Sequence, residues 1–126
     1  NKPVELIHLS LVRAKFCDLI GQAKSLSNNP PMGFLVGLFS LLDALLDQPM
    51  HDIVDKLPIG NDIKAALCGD GNELRQSLAL IRAFERGYWK GVANISKQLS
   101  LDLKMSQAFY NESLKWSVAM RQSISE

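Results

Sequence analysis

The chain has 126 residues and a net charge of +1 from 14 basic and 13 acidic side chains. It is sized for one ordinary domain, and its near balance of charge argues against a dedicated nucleic-acid or polybasic membrane surface. Hydrophobic residues make up 47%, too many for a disordered tail, and a chain of this length buries roughly two-thirds of its unfolded surface without needing disulfides or a structural metal. Twenty Leu and ten Ala stand beside six Val and no Thr, a composition that favours helix and sets aside all-β and parallel α/β architectures.

Pro3 suits a first helical turn, and Leu9, Val12, Phe16, Leu19, Ile20 and Ala23 then recur at three- and four-residue steps, predicting an amphipathic helix of some six turns. Residues 25–31, with Asn28-Asn29-Pro30-Pro31, end it in a loop. Met32 to Leu46 is apolar almost all round and reads as one buried central helix, with Gly33 and Gly37 on one face to admit a close neighbour. A short helix over Met50 to Leu57 follows, then another through Ile63, Ala66 and Leu67 that Asn61 or Asp62 can cap. Gly69-Asp70-Gly71-Asn72 is a turn. Leu74, Leu78, Ile81 and Phe84 mark a helix closing at Gly87, a residue suited to a left-handed cap. Trp89, Val92, Ile95 and Leu99 mark the next. The last runs from about Asp102 to Ser123 and carries Leu103, Phe109, Tyr110, Leu114, Trp116, Val118 and Met120. The pattern predicts an all-α compact bundle of about seven helices.

The side chains that could carry chemistry are few. Cys17 and Cys68 stand apart with no C-x-x-C or zinc spacing, and Cys17 lies in an apolar run as a buried thiol. His51-Asp52 is a candidate metal-binding doublet, but metal-dependent hydrolysis needs further ligands, and the only other histidine is His8. Adjacent helical residues also point about 100° apart, so the pair reads as the exposed first turn of a short helix. Asp43 and Asp47 share a helix face and read as its solvated end. Val92 to Tyr110 has the outline of a helix-turn-helix, but its second helix offers Lys104, Asn111, Glu112 and Lys115 rather than a basic array, which favours a helical hairpin. Arg82, Glu85, Arg86 and Lys90 around Gly87 are exposed candidates for contact and read as solvated charges. No P-loop or nucleophile elbow occurs, and no segment is long and apolar enough to span a bilayer.

Four segments carry a resemblance: Ser10 to Leu19, Phe34 to Leu46, Leu57 to Leu67, and Ala83 to Trp89. Together they resemble the C-terminal half of the HDOD domain, a helical relative of HD-type phosphohydrolases, of the kind that follows an EAL domain in bacterial signalling proteins. The resemblance implies an HD-domain-like fold and further helices before Asn1, so that residues 1–126 are the C-terminal portion of a larger domain. In catalytic HD relatives the metal doublet follows a Gly-Leu-Leu on the central helix. Here Gly37-Leu38-Phe39 leads into Ser40-Leu41, neither of which supplies an imidazole or carboxylate.

The sequence is accordingly expected to be a non-catalytic signal-transduction domain that works by protein–protein contact, in a parent resembling EAL-HDOD cyclic-di-GMP signalling proteins. No catalytic, cofactor-binding or metal-ligating residue is assigned. The expected partners are a protein or a neighbouring EAL-type domain, with self-association through the face that absent helices would cover, and neither nucleic acid nor membrane. The resemblance implies a bacterial, cytoplasmic setting. The alternatives are a divergent metal-dependent phosphohydrolase using His8, His51 and Asp52, and a helix-turn-helix regulator through Val92 to Tyr110.

Overall fold

The computed structural model describes residues 2–24 and 31–125, and the loop expected over 25–31 lies almost wholly outside them. Among the described residues there are eight helices and no strand: α1 (Lys2–Lys24), α2 (Met32–Phe39), α3 (Leu42–Leu46), α4 (Met50–Val54), α5 (Asn61–Leu67), α6 (Glu73–Arg86), α7 (Trp89–Gln98) and α8 (Leu103–Ser125). The fold is an all-α bundle.

α1 is the hub, because its apolar residues are spread over more than one face. It packs against α2, α6 and α8, and places Val12, Phe16, Cys17 and Ile20 in the core with Val36, Ile63, Leu78, Leu80, Ile81 and Leu99. Three rings tie its middle to α6 and α8. Phe84 and Tyr110 stack with centroids 4.6 Å apart, and Phe16 meets both edge-on at 5.8 and 6.4 Å. The α1–α2 contact is closer than side chains allow. A Cβ on Gly33 would lie 2.3 Å from the Cys17 carbonyl oxygen, and one on Gly37 would lie 2.3 Å from that of Arg13. The two glycines therefore do what their spacing predicts and bring backbone onto backbone.

The expected central helix is instead two. Ser40 and Leu41 form a turn between α2 and α3, and α3 buries none of its residues. Two local bonds shorten the end of α2: the Ser40 N–H and its Oγ–H both donate to the Gly37 carbonyl, at 3.3 and 2.8 Å. A hydroxyl that bonds its own preceding turn competes with the helical ladder. The apolar count over 32–46 hides this break, since only Ser40 signals it.

The ends of α6 follow elementary rules. Asn72 caps its N-terminus by accepting the Arg75 N–H at 2.8 Å, and Gly87 closes it at φ 67° with the Gly87 and Tyr88 N–H groups bonded to Phe84 and Ala83. α5, by contrast, starts after Gly60 with no side-chain cap, so neither Asn61 nor Asp62 takes the role predicted for it.

α8 departs most from its pattern. Its fully buried residues are Ser106 and Ser113, with Ser117 nearly so, while Leu103, Leu114 and Val118 are about two-fifths exposed. Ser106 and Ser96 share a 2.8 Å hydroxyl bond across the α7–α8 hairpin, and Ser113 donates to the Phe109 carbonyl at 2.7 Å. Small, locally satisfied side chains let α8 lie close against its neighbours, with Phe109 and Tyr110 packed on the core and Leu103, Leu114 and Val118 left outside. Trp89, also expected inward, is 65% exposed and meets Phe84 edge-on at 6.4 Å.

Cys17 is fully buried, and that burial pushes its thiol up to about 12. Glu85 and Asp18 add to the effect, while the nearby Arg13 charge opposes it. Cys68 is exposed, and both are free thiols. Ellman's reagent is expected to titrate one thiol in the native chain and two after unfolding; two fast thiols in the native state would contradict this burial. Raising the pH above about 9 ionises Cys17 only when unfolded, so native stability falls as pH rises, by up to about 1.4 kcal/mol per unit. Urea denaturation across this range should give a shallower slope for Cys17→Ala.

Candidate functional site

Among the described residues the interior holds one charged cluster. Arg13 lies between Val12 and Ala14 on the inward side of α1 and is 5% exposed. Its Nε and Nη2 donate to the two carboxylate oxygens of Glu85, near the end of α6, at 2.9 and 2.8 Å, and its Nη1 donates to Ser40 Oγ at 3.1 Å. The fork-to-fork arrangement is the strongest geometry available to an arginine and a carboxylate. Ser40 Oγ thus accepts from Arg13 while donating to the Gly37 carbonyl. Its hydroxyl is occupied in both roles.

Three elements converge here for a local reason. The glycine contacts of α2 press its last turn onto α1, and the break after Phe39 turns the Ser40 hydroxyl toward Arg13. Gly87 sets where α6 ends, which places Glu85 against the same guanidinium. Glu85, which its sequence neighbours group with the solvated charges around Gly87, is therefore turned inward and partly buried instead; its side chain is 17% exposed. Arg82 beside it is half-buried, and burial, then the charges of Arg13 and Arg75, hold its guanidinium below the usual range. Arg86 and Lys90 are exposed as expected. The signal for Arg13 is present in the chain: it falls three residues before Phe16 and seven before Ile20, in a slot otherwise filled by apolar residues. A lone arginine in such a slot requires a buried anionic partner.

The other candidate residues are not brought together. His51 and Asp52 lie at the exposed start of α4, with side chains 74% and 55% exposed. Their side chains do meet, Nε2 to Oδ1 at 3.1 Å, although neighbouring helical positions are expected to diverge; on a helix of five residues both side chains are free to bend toward each other. His8 faces Arg121 of α8 instead, with Nδ1 3.1 Å from Nη1. Among the described residues no three His, Cys, Asp or Glu side chains group as a metal site. Ser40 and Leu41 offer a spent hydroxyl and an aliphatic chain, so the donor set at that position does not fit a divalent ion.

The region from Val92 to Tyr110 is a tight hairpin. Leu101 N–H bonds the Ser96 carbonyl at 2.8 Å, and Leu99 and Leu101 are buried at the turn. The first turns of α8 present Leu103, Lys104, Met105, Gln107 and Ala108 to solvent, a surface with one cation. Groove recognition of DNA draws on several.

Comparison with known proteins finds curated relatives of the chain. It is 38% identical over 117 residues to a cyclic di-GMP phosphodiesterase, CdgJ, of Vibrio cholerae, covering 93% of this chain and 27% of that protein. It is 35% identical over 112 residues to an uncharacterized protein, YuxH, of Bacillus subtilis, covering 89% of this chain and 27% of that protein. The chain spans about a quarter of the length of these curated relatives. No protein-family model and no solved structure matches it. No described helix is long and apolar enough to cross a membrane.

Proposed function

We propose that the chain is the C-terminal part of an HDOD-type helical domain that serves a longer bacterial cyclic-di-GMP signalling protein as a non-catalytic relay. The single observation that carries this reading is the Arg13–Ser40–Glu85 cluster. At Ser40-Leu41, which the resemblance matches to the metal doublet of catalytic HD relatives, this chain has an aliphatic side chain and a hydroxyl engaged by the Arg13 guanidinium and the Gly37 carbonyl, with Glu85 neutralising the guanidinium. The cluster joins α1 and α6 to the turn after α2, and its hydroxyl and both carboxylate oxygens are engaged by protein groups.

The likeness to CdgJ supports the signalling context. Hydrolysis of the dinucleotide belongs to an EAL-type barrel elsewhere in the parent, in the cytoplasm. The apolar residues that the bundle leaves outside are one surface for contact with that barrel, with another protein or with a second copy. Leu103, Leu114 and Val118 of α8 are such residues, as are Val4 and Ile7 of α1, which with His8, Leu11, Arg121 and Ile124 line a groove of about 230 Å³.

Incubating the isolated chain with cyclic di-GMP and Mg²⁺ or Mn²⁺ is expected to give no turnover, while deleting it from the full-length protein alters the hydrolysis rate. Turnover by the isolated chain that disappears in His51→Ala would overturn the reading.

A further inference from the structure

The outer side of α6 carries an unbalanced charge. Arg75, Ala79, Arg82 and Arg86 recur at steps of four, three and four residues, which places three guanidinium groups along one stripe. Glu85 would neutralise them if it faced outward, but both its oxygens are engaged by Arg13. Neither Arg82 nor Arg86 forms an ion pair among the described residues. Arg82 is the most crowded: it is half-buried, and Arg13, Arg75 and Arg86 all repel its charge, against the attraction of Glu85 alone.

Beside the stripe is a groove of about 180 Å³ lined by Ala79, Arg82, Ala83, Arg86, Tyr88 and Ile95. Two alanines and an isoleucine give it an apolar lining, the arginines a cationic rim, and Tyr88 an aromatic wall. The wall is held in place. Gly87 turns the chain at φ 67°, the Tyr88 N–H is bonded to Ala83 at 2.9 Å, and the ring lies against Gly91, where a Cβ would stand 2.5 Å from Tyr88 Cδ2. The groove is smaller than the roughly 300–1,000 Å³ of small-molecule sites and takes a single side chain rather than a dinucleotide. Arginine and tyrosine around a small apolar pocket are the residue types that carry binding energy in protein interfaces.

We propose that this groove docks an acidic protein segment, with an apolar side chain seated on Ala79, Ala83 and Ile95 and flanking carboxylates on Arg82 and Arg86. The proposal rests on the reading of the chain as a protein-contact domain. It adds the place and the chemistry of the partner.

The probe is a fluorescein-labelled peptide with one Leu between pairs of Glu, followed by anisotropy, with the same peptide carrying Lys for Glu as its counterpart. The acidic peptide is expected to bind saturably and to weaken with salt, and the Lys peptide not to bind. Arg86→Glu, Arg82→Gln and Gly91→Ala are each expected to weaken binding by about tenfold or more. Gly91→Ala is the sharpest arm, because the three atoms nearest its Cβ all belong to the Tyr88 ring, and circular dichroism should report an unchanged fold. Absence of saturable binding, binding indifferent to the three variants, or stronger binding of an oligothymidylate at the same groove would overturn the proposal. If the peptide fails while deletion of the chain still alters hydrolysis in the full-length protein, this groove is refuted and the relay reading stands.

Discussion

Glu85→Ala is expected to lower folding stability by about 3–5 kcal/mol, because it leaves the Arg13 guanidinium buried without its counter-charge. For a domain whose whole stability is about 5–15 kcal/mol, that is a large share, and the variant should unfold at a much lower urea midpoint. Ser40→Ala removes only one neutral acceptor from the same guanidinium and should cost about 1 kcal/mol. The informative companion is the double variant Arg13→Met with Glu85→Leu. Replacing both partners with apolar groups of similar size removes the desolvation cost together with the attraction, so its stability should fall within about 1–2 kcal/mol of the native chain. A double variant as unstable as Glu85→Ala would mean that the site depends on charge for more than pairing. The Arg13–Ser40–Glu85 lock is thus a device for placing α1, α2 and α6 against each other rather than a large net source of stability.

The second large effect is at the α1–α2 contact. Gly37→Ala should destabilise by about 3 kcal/mol, since its Cβ would lie 2.3 Å from the Arg13 carbonyl oxygen and 2.5 Å from the carbonyl carbon. Those atoms are backbone, so the helices themselves have to separate. The sign is the test: in an open helix the same substitution stabilises by about 0.8–1.0 kcal/mol through propensity alone. Gly21, which is helical and where an added Cβ would meet nothing within 4 Å, provides that contrast within one molecule. Gly37→Ala should also loosen the lock, because the displaced α2 carries Ser40 away from Arg13.

Much of the architecture is legible in the chain. Periodicity locates α1, α6, α7 and α8 to within a few residues, and Gly33, Gly37 and Gly87 announce their roles because a residue without a Cβ admits a backbone contact and takes a left-handed cap at least cost. What fails does so for identifiable reasons. The break at Ser40 depends on a hydroxyl choosing its own turn over the helical ladder, and apolar counting does not register one serine. In α8 the pattern turns the apolar residues inward, but the close approach to its neighbours selects Ser106, Ser113 and Ser117 for the interior. Burial follows available space as well as polarity. Glu85 reads from its sequence neighbours as a surface charge, whereas the residue that determines its position lies 72 positions away. Long-range pairing of this kind has no local signature. The half that is visible, Arg13 in an apolar slot, calls for an acid without saying which.

The acidic-segment groove follows from the same pairing. With both Glu85 oxygens engaged by Arg13, the attraction of that carboxylate is shared with Arg82, and it forms no ion pair with Arg82 or Arg86 among the described residues. The interior lock and the cationic outer stripe are therefore two consequences of one buried ion pair. A Glu85→Gln variant, which keeps the shape of the acid and loses its charge, should weaken both the fold and the definition of the groove.

On the proposed reading, the Ser40-Leu41 position that the resemblance matches to a metal doublet binds no metal, and Ser40 serves the Arg13–Glu85 pair instead. Isothermal titration of the purified chain with Mn²⁺, Fe²⁺ and Zn²⁺ tests this most directly, with metal analysis of the same material. The predicted result is no stoichiometric binding by any of the three ions and no rise in melting temperature. One equivalent of tightly held metal, lost on substitution of His8, His51 or Asp52, would contradict it.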